Sequence, residues 1–204
     1  MKKVFSLLSV GFLFLQSFTI QGNELTRQER DAAISYFKET SDYFNSQIKG
    51  LSEAQLNYKA GPDKWSVRDC IEHISLSESF IYSIVDNLLK QPANPDKKVE
   101  IKFTEDMLKT ALVDRTKKGQ APEPIKPSGK FKTSDEAVAA FMKSREDNIR
   151  FLDTTKADLR DHLMPHPFFG MLDAYQWMIL LSGHTKRHTL QIVEIKADPA
   201  FPRS

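Results

Sequence analysis

Residues 173–197 read DAYQWMILLSGHTKRHTLQIVEIKA, and how this stretch folds decides the fold of the rest. Asp173 stands three residues before Gln176, the spacing at which two side chains exchange hydrogen bonds with the free backbone N–H groups at a helix start. Trp177, Leu180, Leu181, Ile192 and Ile195 then recur at the helical period, which predicts a helix capped by Asp173 and running to about Ala197, ahead of Pro199. His184 and His188 are four residues apart, so their rings share one face, a turn apart, on the side that turns toward a bundle interior.

Working outward, three more segments have the same character. Thr133-Ser134-Asp135-Glu136 opens a helix with Val138, Phe141, Met142, Ile149 and Leu152 at helical spacing, ending near Asp153. Ser66, with Asp69 three residues on, caps another that carries Ile71, Ile74, Phe80, Ile81, Ile84, Val85 and Leu88 to about Lys90. Ala33, Ile34, Phe37, Phe44 and Ile48 mark the first, from about Thr26 to Lys49, with Gly50 where a helix-ending glycine belongs and a short capped turn at Leu51–Leu56. Gly61-Pro62-Asp63 breaks the chain before the second long helix, and Pro165–Gly170 is a turn-rich segment before the fourth. Residues 91–132 are rich in Pro, Lys and Gly, with a helix near Thr104–Arg115, too long for a bare loop and suited to a bundle crossover. No strand-like alternation is visible, so the expected fold is all-α, a four-helix bundle with a long crossover between the second and third long helices.

The N-terminus differs from the rest. Lys2 and Lys3 precede an uncharged run from Val4 to Leu15, and a more polar stretch follows to Gly22. This is the three-part pattern of a secretory signal, and the run is shorter than the roughly twenty residues of a membrane span. The expected organisation is a signal peptide at 1–22 and one domain at 23–204, the product exported to a periplasm or the extracellular space and held at a membrane only if the signal stays uncleaved. Removing the signal takes two lysines and no acid, so the formal charge falls from +2 to zero, which argues against nucleic acid as a partner. Cys70 is the single cysteine, which excludes an internal disulfide and fits a buried packing role.

A pair of histidines at this spacing is by itself a weak metal signal. His73, between Cys70 and Ser77 on the inward stripe of the second long helix, supplies a third imidazole able to reach the same point. Three neutral imidazoles suit zinc, nickel, iron or copper and leave positions for water or substrate. Nearby residues admit plainer readings. Trp65 suits a core or staple position that aims His73, and Arg187 is rotated off the histidine face toward an ion pair. Gln191 divides between orienting an imidazole and surface polarity, His166 divides between the pocket mouth and solvent, and His162 reads as surface. Asp69 is a better placed carboxylate than Glu72, although Asp69 equally suits the first turn of its helix.

Taken together, Trp65-Ser66 with His73, Ala121-Pro122-Glu123, Pro127-Ser128-Gly129, His166-Pro167 with Gly170, and His184-x-x-Arg187-His188-x-x-Gln191-Ile192 resemble the DinB-like, or YfiT-like, metalloenzyme family over about Thr26–Ala197. The resemblance implies a divalent metal, zinc or nickel first and iron next, held by His73, His184 and His188. It also implies a small-molecule substrate and a homodimer. Relatives include metal-dependent hydrolases and transferases that use bacillithiol or mycothiol. An export signal favours hydrolysis by a metal-activated water, because those thiols are cytosolic. The glutamate of an H-E-x-x-H motif is missing from the fourth helix, which leaves a noncatalytic metal- or ligand-binding bundle and a thiol-dependent S-transferase as alternatives.

Overall fold

The computed structural model describes residues 24–116 and 119–203, so the expected signal peptide lies outside the described residues. The four long helices are α1 (Arg27–Ile48), α3 (Val67–Leu89), α5 (Ser134–Thr154) and α6 (Ala174–Lys196); α2 (Glu53–Asn57) and α4 (Glu105–Val113) are shorter. Each long helix starts at a side-chain cap: Thr26, Ser66 and Asp173 form reciprocal capping boxes with Glu29, Asp69 and Gln176, and Thr133 accepts from the Glu136 N–H.

Packing defines the topology. α6 lies against α1 and α3, and α5 lies against the same two helices, so α1 and α3 face each other diagonally, as do α5 and α6. α4 covers α6, and the loop around the 3-10 turn at Glu123–Ile125 covers α3. From Ile71 to Glu78 α3 is therefore buried on every side.

The core has two apolar clusters. One gathers Phe37, Val85, Leu108, Leu152 and Met178; the other gathers Phe44, Cys70, Ile74, Phe141 and Ile192. A third, polar set joins all four long helices. Arg145 of α5 donates to the Phe37 carbonyl (3.1 Å) and Thr40 (2.9 Å) of α1, to Glu78 of α3 (2.8 Å), and to Ser182 (3.2 Å) and Thr185 (2.7 Å) of α6. Arg145 and Glu78 side chains are each 1% exposed, and Asn148 donates to the other Glu78 oxygen at 2.9 Å.

Two details differ from the sequence reading. Residues Leu163–His166 and Gly170–Asp173 form a two-stranded antiparallel hairpin, β1 and β2, that leads directly into α6. Met142 is exposed, whereas Arg145 and Asn148 occupy the buried stripe of α5.

Candidate metal centre

Three rings from two helices converge. His73 Nε2 lies 3.3 Å from His184 Nε2 and 3.1 Å from His188 Nε2. One nitrogen from each ring falls within 4.8 Å of the others, and among the described residues these three form the grouping able to hold a metal ion. Nitrogens at 2.0–2.1 Å from a common centre, spaced by right or tetrahedral angles, are about 2.8–3.4 Å apart, and the separations of 3.3 and 3.1 Å from His73 fall in that range.

The outer nitrogens fix which way the lone pairs point. His73 Nδ1 donates its proton to the Ile125 carbonyl at 2.7 Å, since a carbonyl can only accept. His188 Nδ1 meets Gln191 Oε1 at 2.9 Å, an oxygen that also accepts from Arg115 at 3.4 Å. Both rings are thereby set with the proton outward, leaving unprotonated Nε2 atoms facing each other at 3.1 Å. Two lone pairs at that distance repel unless a cation lies between them, so the residues present fit a divalent ion.

Electrostatics agree. Burial lowers the His73 pKa to about 4, against a smaller upward pull from its bond to Ile125. Burial and then the neighbouring imidazoles hold His184 and His188 well below the ordinary histidine value. All three rings are neutral at pH 7, the protonation state that binds metals. His73 is 2% exposed, whereas His184 and His188 are half-buried, so the meeting point sits at the edge of the core.

The surrounding residues sort clearly. Trp65 packs its ring 4.8 Å from that of His73 and 5.9 Å from that of His188, walling one side of the cluster. Gln191 is the orienting partner of His188. Arg187 turns away, donating to the Leu112 and Asp114 carbonyls at 3.0 and 2.6 Å and so tying the end of α4 to α6. Asp69 is not a carboxylate of the cluster, because it completes the Ser66 cap and pairs with Lys59 at 2.8 Å. Its plainer reading, as an acid of the first turn, is the one realised. Cys70 is fully buried and burial pushes its thiol upward, as for an inert packing residue.

His166 ends β1, stacked on Phe169 at 4.9 Å and edge-on to Trp177 at 5.2 Å; burial lowers its pKa to about 4. His162 is half-buried, its Nδ1 3.3 Å from the Leu88 carbonyl near the end of α3, rather than simply at the surface. The sequence reading missed the Ile125 carbonyl as a partner of His73 and passed over Glu72, whose carboxylate accepts from the backbone N–H groups of residues 128–130 of the same loop. Their signal was the Pro122-Glu123 and Pro127-Ser128-Gly129 pattern, which marks an unusual loop without saying what it touches.

A four-helix bundle whose third and sixth helices present three converging imidazoles defines the class of protein. The family model of the DinB superfamily matches residues 36–192, and the chain belongs to that family. Among its relatives is the uncharacterised protein YuaE of Bacillus subtilis (strain 168), 28% identical over 163 residues that cover 80% of this chain and 96% of YuaE. The solved structure of YfiT from Bacillus subtilis, described as a probable metal-dependent hydrolase with an unusual four-helix bundle topology, is similar in fold with a TM-score of 0.57. That match covers 84% of this chain and 88% of YfiT at 15% identity.

Proposed function

We propose that the protein is a metal-dependent enzyme of the hydrolase type, with His73, His184 and His188 as the ligands of one divalent ion. The observation that carries this reading is the pair of inward lone pairs on His73 and His188, 3.1 Å apart, each fixed by a hydrogen bond on the far side of its ring. An ion held there supplies Lewis acidity and lowers the pKa of water toward neutrality. The chain's own groups supply the rest. The Ile125 carbonyl and Gln191 hold two imidazoles in the ligating tautomer. Trp65 presents an apolar ring beside the cluster, suited to excluding water from one side and to packing against a small-molecule substrate. Zinc and nickel suit three neutral nitrogen donors best, with iron next.

One observation favours the rival reading, a noncatalytic metal-binding bundle. Asp69 and Glu72, the carboxylates nearest His73 in sequence, are both engaged by other partners, so neither is available as a general base. The discriminating experiment is a panel of ester, amide and thiol-transfer substrates, assayed with metal-loaded protein and again after chelation. The hydrolase reading expects ester or amide turnover that chelator abolishes and added zinc or nickel restores. Turnover indifferent to chelator contradicts it, and thiol-dependent turnover alone assigns the S-transferase chemistry. We also propose export on the pattern of residues 2–22; fractionation of the native host tests it, and a cytosolic protein retaining Met1 contradicts it.

A further inference from the structure

We infer that Glu72 is a positioning residue for the histidine cluster, acting through the loop at residues 123–130; the inference rests on the metal reading above. Glu72 precedes His73 and lies about 100° round α3 from it, and so faces the loop rather than the meeting point of the rings. Its Oε1 accepts from the backbone N–H groups of Ser128 (3.2 Å) and Lys130 (2.8 Å), and its Oε2 from that of Gly129 (3.1 Å). Three successive amides turn onto one carboxylate because Gly129 adopts φ +75°, a conformation that side-chain-bearing residues rarely take. At 5% exposure Glu72 has exchanged its water for these amides.

Earlier in the same loop Ile125 is buried, and its carbonyl takes the Nδ1 proton of His73 at 2.7 Å. Adjacent residues of α3 thus grip one loop at two points, with Pro127 stiffening the chain between them. Releasing the amides at 128–130 frees the loop to lift, and the Ile125 carbonyl goes with it. His73 then loses the bond that fixes its tautomer, and its Nε2 lone pair is no longer preset toward His184 and His188.

The test uses the full chain, stripped of metal and titrated with cobalt(II), whose visible absorption reports both affinity and ligand geometry. Glu72→Ala is expected to weaken cobalt binding roughly 10–100-fold and to alter the band shape, while far-UV circular dichroism stays as in wild type. Gly129→Ala keeps the Glu72 charge but strains the turn, and is expected to weaken binding in the same direction. The double variant should be no weaker than the worse single variant, because both break one clamp. In metal-free protein, long-range nitrogen–proton NMR correlations should show His73 protonated at Nδ1 in wild type and as mixed tautomers in either variant.

Wild-type affinity and spectrum in folded Glu72→Ala overturn the inference. So does weakening in Glu72→Ala with none in Gly129→Ala, which assigns the effect to charge. If Glu72→Ala does not fold, Gly129→Ala and the His73 tautomer decide. A wild-type chain that takes up no cobalt strikes instead at the metal reading, and the tautomer measurement alone then judges the clamp.

Discussion

His73 and His188 each use one nitrogen to face the cluster and the other to hold a partner, Ile125 or Gln191. That division of labour makes Gln191 testable. Gln191→Ala should weaken metal binding about 10–100-fold by calorimetric titration with little change in fold, and unchanged affinity would mean that His188 is oriented without it. Burial has a further consequence for the metal-free protein. His73 and His166 are held at about 4 in the folded chain, below the ordinary value of 6.5, so on acidification the unfolded chain binds protons first. These two histidines should therefore cost the metal-free form nothing above about pH 6.5 and lower its stability progressively as the pH falls from there toward about 4. Urea midpoints at pH 7.5 and 5 check this, and equal midpoints would contradict it. The two α6 histidines were legible in sequence because helical spacing is local, and His73 because it sits on an apolar stripe. The Ile125 carbonyl was not, since every residue has a carbonyl and only the folded loop selects one.

The helices are specified locally and the hairpin is not. Ser66 with Asp69 and Asp173 with Gln176 are cap pairs complete within four residues, so the starts of α3 and α6 could be read directly. The strands LMPH and GMLD are four residues each, one containing a proline, and have no alternation long enough to register. Their register pairs Leu163 with Asp173, the residue that caps α6. α4 is placed by another close approach. A Cβ added at Gly183 would come within 2.6 Å of Leu112 Cδ1 and 3.1 Å of the Tyr36 hydroxyl. Gly183→Ala should accordingly push α4 from α6 and lower stability by about 1–3 kcal/mol, read from the shift in urea midpoint. A variant as stable as wild type would show that Leu112 swings aside without loss.

Across the molecule, the bundle holds a buried arginine where pattern reading expects a surface charge. Arg145 lies four residues after Phe141, squarely on the inward face of α5, and its guanidinium bonds to groups on the other three long helices. Hydrophobic periodicity revealed the number and order of the helices. It could not reveal this polar layer, because a charge on a stripe reads as a gap until its partners on three other helices are known. Arg145→Met should cost about 3–5 kcal/mol by leaving Glu78 buried without its counter-ion, and adding Glu78→Gln should recover part of that loss in a denaturant cycle. A double variant as unstable as the two single losses combined would contradict the pairing. The diagonal placement of α1 and α3 leaves the α3–α6 seam open to the crossover loop, and the three imidazoles converge at that seam. Their joint role is tested most directly by elemental analysis of untagged protein, comparing wild type with His188→Ala. The account predicts about one divalent ion per wild-type chain and its loss in the folded variant. Metal content that is substoichiometric in wild type and unchanged by the substitution would contradict it.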